Sequence, residues 1–278
     1  MLIPIEMNRS VIFSAILTWL VCLNISLSSF GQKRQLTFCG YSWQVNDNHP
    51  TPDKNNTWKD DTSMQFVDVE GRMHLKLKKI FGVYYCSEVE LSSSLGYGEY
   101  CFYIQSDVSH LDPRIVFTLG ISEHPVSDNI DLKSTYGPIE ISFSRWNKPS
   151  TNAGWYIVGS VPDDVLGICP PPSDYKSIYC FSPDLPPSNK STHKFIWSKQ
   201  LGKTIAVEFS SIQGFSSNPS EKHKLISEKK YISDKVPEYL NEHVRISLWF
   251  FGNNQTLTVQ AKDEIEVIIK GFRFTPAK

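Results

Sequence analysis

The sequence predicts an all-β protein, a sandwich or a barrel, on three observations. Apolar and polar residues alternate over many short segments, as in strands with one face in a core. Turn-forming residues separate these segments, and the aromatic residues, 13% of the chain, cluster within them. No long stretch has the 3.6-residue period of a helix, and no internal repeat is visible. Many short strands between turn signals are typical of sandwiches and barrels.

The predicted strands follow one another along the chain. Met64–Lys78 reads as a hairpin, because two alternating halves flank a turn at Glu70–Gly71. Pro/Ser-rich stretches at Pro162–Pro187 and Gln213–Asp234 are predicted as connections, and Val236–His243 as a brief helical turn. The other predicted strands are Phe38–Val45, Val83–Val89, Tyr97–Ile104, Ile115–Ile121, the stretch around Ile139–Phe143, Gly154–Ser160, Thr192–Trp197, Thr204–Phe209, Val244–Phe250 and Glu264–Phe274.

Residues 1–31 are predicted to be a secretory signal peptide. The apolar stretch Val11–Leu23 follows Arg9, and small residues at Ser29 and Gly31 suit cleavage after Gly31. A membrane anchor is the rival interpretation, but the stretch is shorter than the ~20 apolar residues of a span. A lipid-modified Cys22 is a further alternative. We therefore expect a secreted, non-transmembrane protein, extracellular or in the cell envelope (the periplasm of a Gram-negative cell), with residues 32–278 as a single domain.

The charge balance argues against a nucleic-acid partner. Lysines plus arginines nearly equal the acids, giving a formal net charge of −1, and no basic stripe appears. The histidines and cysteines lack the close spacings of zinc sites, so neither a metal nor another cofactor is predicted. The oligomeric state is left open.

Five cysteines follow the predicted cleavage site, which leaves one unpaired if the others form disulfides. Cys169 and Cys180 close a short, proline-stiffened loop and are predicted to be bridged. Cys86 and Cys101 flank a segment that turns back near Gly96, and are the second candidate pair. Cys39 could instead pair with either of them.

The chemistry centres on Gly137–Trp146, which reads G-P-I-E-I-S-F-S-R-W. Ile139, Ile141 and Phe143 alternate with Glu140 and Ser142, so a strand would place those two polar side chains on one face. This run resembles the strand E-I-D-I-E-F-S-R-W of glycoside hydrolase family 16, the laminarinases and lichenases. In that alignment the family's two catalytic glutamates fall on Pro138 and Ser142, and its aspartate falls on Glu140.

Further segments resemble the family in the same order along the chain. They are Val69–Leu77, Cys86–Val89 with Leu95–Tyr100, His193–Trp197, Ile246–Phe250 and Ile269–Pro276. The resemblance implies a concanavalin A-like jelly roll, two curved antiparallel sheets with a glycan groove on the concave face. It also implies a β-linked polysaccharide partner, of glucan or galactan type.

The two replacements remove the family's chemistry. A retaining glycosidase needs a nucleophilic carboxylate and an acid/base carboxyl about 5 Å apart. Proline has no ionisable group, and a serine hydroxyl is far too weak an acid to protonate a leaving sugar. The sequence therefore predicts a secreted pseudoenzyme that binds polysaccharide without cleaving it. The alternatives are an active hydrolase pairing Glu140 with Glu123, Asp128 or Asp131, and a structural envelope protein with a closed groove.

The sugar-binding candidates are Glu140, Arg145, Trp146 and Trp197, the tryptophans because a ring can stack on a pyranose. Trp249 is instead expected in the core, and Tyr175 and Tyr179 could form a rim or an ordinary loop. N-linked glycosylation sequons occur at Asn55, Asn189 and Asn254.

Overall fold

A computed structural model describes residues 33–81, 83–123, 138–148, 153–162, 164–186, 188–199, 205–216, 218, 224–233, 236–239, 241–252 and 264–277. The signal-peptide segment 1–31 lies outside these ranges and stays a prediction. The chain from Gln35 to Lys278 forms one compact unit. Among the described residues, no helix has the length and apolar composition needed to cross a membrane.

The described residues form sixteen strands in two antiparallel sheets, which confirms the predicted all-β jelly roll. The first sheet has the order β1-β2-β6-β15-β8-β9-β10-β11, and the second has the order β14-β13-β12-β7-β16-β4-β3, with β5 paired to β4. The strands are β1 Gln35–Phe38, β2 Tyr41–Val45, β3 Gln65–Val67, β4 Met73–Ile80, β5 Val83–Tyr85, β6 Ser87–Leu91, β7 Gly98–Gln105, β8 Ile115–Glu123, β9 Ile139–Phe143, β10 Gly154–Val158, β11 Ile178–Phe181, β12 Lys190–Lys199, β13 Ile205–Gln213, β14 Leu225–Ser233, β15 Glu242–Phe250 and β16 Glu264–Pro276.

The core lies between the two sheets and follows the alternation of the sequence. In β9, Ile139, Ile141 and Phe143 are buried on the inner face. Aromatic contacts join the two layers, as where the Phe143 ring meets the imidazole of His193 with centroids 4.7 Å apart. Since successive side chains of a strand point to opposite faces, Glu140 and Ser142 must lie on the outer face of the first sheet.

A buried polar chain crosses this core. His193 on β12 is fully buried, with its Nδ1 2.8 Å from Ser211 Oγ and its Nε2 2.8 Å from Ser191 Oγ. The Tyr156 hydroxyl donates to Ser211 Oγ over 2.8 Å. Burial lowers the pKa of His193 to about 3, so the imidazole is neutral in the folded protein near neutral pH.

Several predicted elements differ in the structure. Phe38–Val45 is a hairpin rather than one strand, because Cys39 and Gly40 both adopt positive φ in a two-residue turn between β1 and β2. The helical turn predicted within Val236–His243 is wrong, since residues 236–239 are irregular and β15 begins at Glu242. Two further strands, β11 and β14, lie within stretches predicted as connections.

The predicted Cys169–Cys180 disulfide is present. The second candidate pair is wrong, because Cys86 and Cys101 are both free thiols. Cys101 lies on β7 in the second sheet, whereas Cys86 directly precedes β6 in the first. Consecutive strands here belong to different layers, so the two thiols do not face each other across a hairpin. Cys39 is free as well.

Candidate functional site

Two rows of facing residues place polar side chains across the outer face of the first sheet. Directly paired residues of neighbouring strands point to the same face. One row runs Gln44, Glu90, Arg245, Gly120 and Glu140, and the next runs Glu88, Ser247, Thr118, Ser142 and Trp155. We call the surface formed by these two rows the Glu140 face. It brings Glu140 and Ser142 together, as the alternation of β9 predicts.

Glu140 is the acid that β9 contributes to this face. The Ser142 hydroxyl donates to Glu140 Oε1 over 2.8 Å and lies 3.5 Å from the Thr118 hydroxyl. Burial raises the pKa of Glu140 to about 7, and the hydrogen bond from Ser142 offsets part of that rise. Pro138 precedes β9, and its carbonyl accepts the Gly159 N–H over 2.8 Å. Ser142 is fully buried.

Gly120 packs directly against Glu140, where no side chain would fit. A Cβ atom added at Gly120 would lie 2.5 Å from the Ile139 carbonyl oxygen and 2.7 Å from Glu140 Cβ. Real Cβ atoms do not approach backbone this closely, so a side chain here would push β8 and β9 apart. Glycine is thus required for the close packing of these two strands at the acid.

A second acidic group lies on the same face and was not among the predicted site residues. Glu90 is buried and lies 3.0 Å from the Arg245 guanidinium, measured from Oε2 to Nε. Glu88 is also buried and accepts from Asn46 Nδ2 over 2.6 Å. The signal for this group was the alternation S-E-V-E-L of β6, which places both glutamates on one face.

The two acidic groups are separated along the sheet. Glu90 pairs with Arg245, Arg245 with Gly120, and Gly120 with Glu140. Three strand spacings of about 4.8 Å put the Cα atoms of Glu90 and Glu140 about 14 Å apart. Arg245, which holds Glu90, comes from an intervening strand. This arrangement differs from the carboxyl pair about 5 Å apart that a retaining glycosidase uses.

Tryptophans pack beside the two polar rows. The ring of Trp146 meets those of Trp249 and Phe251 edge-on, with centroids 6.1 and 5.4 Å away. Trp146 is only 4% exposed, and its indole N–H is buried without a hydrogen-bond partner. Trp155, which pairs with Ser142, donates its indole N–H to the Ser144 carbonyl over 2.8 Å. Trp249 is buried as expected. It lies two residues after Ser247 on β15, however, so its side chain points to the outer face, as those of Arg245 and Ser247 do.

Trp197 does not meet the expectation that its ring faces a groove. It is fully buried between Tyr97 and Tyr239, and its indole N–H donates to the Pro237 carbonyl over 3.0 Å. It belongs to the second sheet, on the same face of β12 as His193 and Phe195, which is the inner one. The residue is part of the core.

Arg145, a predicted sugar-binding residue, makes a structural hydrogen bond within the protein. One of its guanidinium nitrogens, Nη2, donates to the Leu111 carbonyl over 2.6 Å. This backbone contact joins the segment after β9 to the segment before β8.

The remaining candidates lie partly outside the described residues. Asn55 is exposed and Asn189 is partly buried, while Asn254 lies outside the described ranges. Asp128, Asp131 and the side chain of Glu123 also lie outside them. Among the described residues, no three His, Cys, Asp or Glu side chains are grouped to hold a metal ion.

The fold is that of solved β-glucanases. A Bacillus licheniformis β-glucanase has 15% identity and a TM-score of 0.57, over 90% of this chain and 100% of its own. A pseudo β-1,3-glucanase of Mycobacterium tuberculosis has 14% identity and a TM-score of 0.56, over 85% and 91%. A Zobellia galactanivorans protein in complex with laminaritriose and laminaritetraose has 12% identity and a TM-score of 0.53, over 84% and 91%. No protein-family model and no curated protein matches the sequence. The chain thus has the jelly-roll fold of these glucanases, and these likenesses define its fold alone.

Proposed function

We propose that this protein is a secreted carbohydrate-binding pseudoenzyme, which holds a β-linked glucan on the Glu140 face without hydrolysing it. The observation that supports the proposal is the single carboxyl that β9 contributes to that face, about 14 Å from the nearest strand-paired acid, Glu90. Pro138 and Ser142 occupy the two positions aligned with the family's catalytic glutamates, and Ser142 donates a hydrogen bond to Glu140. One carboxyl does not supply both the nucleophile and the acid/base of double displacement.

The same face offers what binding requires. Hydroxyl, amide and carboxyl groups of Thr118, Gln44 and Glu140, which are partly exposed on this face, are suited to sugar hydroxyls. The buried, unpartnered indole N–H of Trp146 would gain from a hydrogen-bond acceptor, because an unsatisfied buried donor costs about 1–3 kcal/mol. The jelly-roll neighbours include a pseudo β-1,3-glucanase and a protein complexed with laminaritriose and laminaritetraose, which supports β-linked glucan as the first ligand to test.

The test is a binding assay and a reducing-sugar assay on purified residues 32–278, with laminarin and mixed-linkage glucan. We expect binding with a Kd between about 10 μM and 1 mM and no hydrolysis. Glu140→Gln tests the face, and Glu228→Gln, an exposed glutamate on β14, is the matched control. Turnover of about 1 per second or more, an ordinary enzymatic rate, would refute the pseudoenzyme proposal. Unchanged glucan binding by a folded Glu140→Gln variant would place the sugar elsewhere.

One observation favours the second candidate, an active hydrolase. A carboxyl with a pKa near 7 has the property of a general acid. Such an enzyme would still need a second carboxylate near Glu140. The Glu140→Gln variant separates the two proposals, since it would abolish hydrolysis in the enzyme and leaves nothing to abolish in the pseudoenzyme. Adding glutamates at Pro138 and Ser142 is expected to restore little activity, because a site about 1 Å out of place is poor.

A further inference from the structure

A cleft lies at one open side of the sandwich, where β11 and β14 are the edge strands of the two sheets. It has a volume of about 450 Å³ and opens to solvent, between the disulfide-closed loop of the first sheet and the edge strand β14 of the second. Its lining includes Pro171, Tyr175, Lys176, Ile178, Lys229 and Tyr231. We call it the Tyr231 cleft. A volume in the usual range of ligand pockets, about 300–1,000 Å³, has room for one or two sugar rings.

Three lysines line the cleft, and two of them form no ion pair with a described acid. Lys176 and Lys229 have no acidic partner among the described residues, whereas Lys230 is paired with Glu208 over 2.5 Å. The Lys229 ammonium lies over two tyrosine rings, 5.1 Å from the centroid of Tyr179 and 5.9 Å from that of Tyr231. A cation held over ring faces is available to an anionic group entering the cleft.

The unpartnered hydroxyl of Tyr231 is a second, independent observation that favours a binding site in this cleft. Tyr231 is only 9% exposed, and its hydroxyl is buried with no hydrogen-bond partner. Leaving such a group unpaired is unfavourable, so most buried hydroxyls of native proteins have a partner. The Lys229 ammonium lies over the ring that carries this hydroxyl, so a ligand bound to Lys229 would lie close to Tyr231.

We propose that the Tyr231 cleft binds an acidic sugar unit, one that carries a carboxylate or a sulfate group. Tyrosine and proline rings offer apolar faces to a pyranose, Lys176 and Lys229 pair with its anionic group, and the Tyr231 hydroxyl bonds a sugar oxygen. Lys229 and Tyr231 lie on β14 in the second sheet, whereas Glu140 lies on β9 in the first, so the proposal does not depend on the function proposed for the Glu140 face.

Binding to the whole secreted chain is measured by calorimetry at low salt, with four probes: a glucuronate-containing disaccharide, a sulfated galactose disaccharide, laminaritetraose and sodium sulfate alone. We expect at least one acidic disaccharide to bind more tightly than the other two probes, and to weaken as salt is raised. Lys229→Ala and Tyr231→Phe should each weaken it about tenfold, or about 1.4 kcal/mol. Lys79→Ala is the matched control, since Lys79 also lies over a tyrosine ring, 5.4 Å from the Tyr84 centroid, but lines no part of this cleft.

Several results would overturn the proposal. Failure of both acidic disaccharides to bind would do so, as would binding unchanged by Lys229→Ala. Sulfate alone binding as tightly as the disaccharides would reduce the cleft to a simple anion site. Should Tyr231→Phe fail to fold, the exposed Lys229→Ala variant alone decides the question. If Glu140→Gln weakens laminaritetraose binding and Lys229→Ala does not, that binding occurs on the Glu140 face. The two proposals can therefore be refuted independently of each other.

Discussion

The pKa values of Glu140 and His193 predict opposite effects of pH on stability. Glu140 has a folded pKa of about 7 against an ordinary 4.5, so between these values the folded chain holds a proton that the unfolded chain has lost. Its contribution to stability is complete below about pH 4.5 and is lost as pH rises through about 7. At 1.36 kcal/mol per pKa unit, the loss is at most about 3 kcal/mol.

His193 acts in the other direction. Its pKa falls from 6.5 to about 3, so between these values the unfolded chain binds the extra proton and stability rises with pH. Between about pH 4.5 and 6.5 each group changes the free energy of unfolding by about 1.4 kcal/mol per pH unit, with opposite signs. We therefore expect their effects to cancel in the wild-type protein over this window.

Removing the Glu140 carboxyl should reveal the pH dependence of stability that His193 causes. In Glu140→Gln, the free energy of unfolding should rise by about 1.4 kcal/mol per pH unit between pH 4.5 and 6.5, relative to wild type. Urea denaturation at half-unit pH steps from 4 to 8 measures it, with Glu228→Gln as the control for an exposed glutamate. A variant-minus-wild-type difference that stays constant within about 1 kcal/mol would show that Glu140 titrates normally, and the burial argument would be wrong.

Three further outcomes are expected. Trp197→Ala should lower the free energy of unfolding by about 3–5 kcal/mol and Trp197→Phe by much less, as denaturant melts would show, whereas equal effects would contradict the core position. Gly120→Ala should cost about 1–3 kcal/mol, measured as a lower Tm, because its Cβ would meet the Ile139 carbonyl 2.5 Å away; an unchanged Tm would mean that β8 and β9 separate freely. Replacing Cys169 and Cys180 by serine should cost about 3 kcal/mol, and equal stability of the bridged and serine forms would show that the disulfide adds nothing.

The sequence predicted which side chains of a strand point to the core better than it predicted the sheet to which each strand belongs. Alternation put Ile141 in the core and Glu140 outside, since side-chain direction in a strand has a period of two. It does not say to which layer a strand belongs, so the crossover between β6 and β7 was missed, and with it the separation of Cys86 from Cys101. The edge strand β14 was missed because L-I-S-E-K-K-Y-I-S carries three consecutive charges. Edge strands commonly carry such charges.

The site was predictable only in part for the same reason. The motif located Glu140 and Ser142, but a local motif does not show which distant strands share their face. Glu90 and Arg245 reach that face through β6 and β15, and only the pairing register reveals it. Trp197 carried a usable signal that was overlooked: its parity matches Phe195 and His193, so placing the phenylalanine in the core places the tryptophan there too.

In the proposed function, Pro138 and Ser142 lower the free-energy cost of covering the Glu140 face with a sugar. Three carboxyls two residues apart on one strand would repel one another, and burying them under a sugar would carry the desolvation cost of their charges. One carboxyl with a pKa near 7 can instead enter a complex as a neutral acid, able both to donate and to accept hydrogen bonds. Since an uncharged polar group is far cheaper to bury than a charged one, the proposed pseudoenzyme would lose hydrolysis and gain retention of the ligand through the same physical change. A face with hydrogen-bonding groups but few charged carboxylates would suit binding of a neutral glucan better than its cleavage.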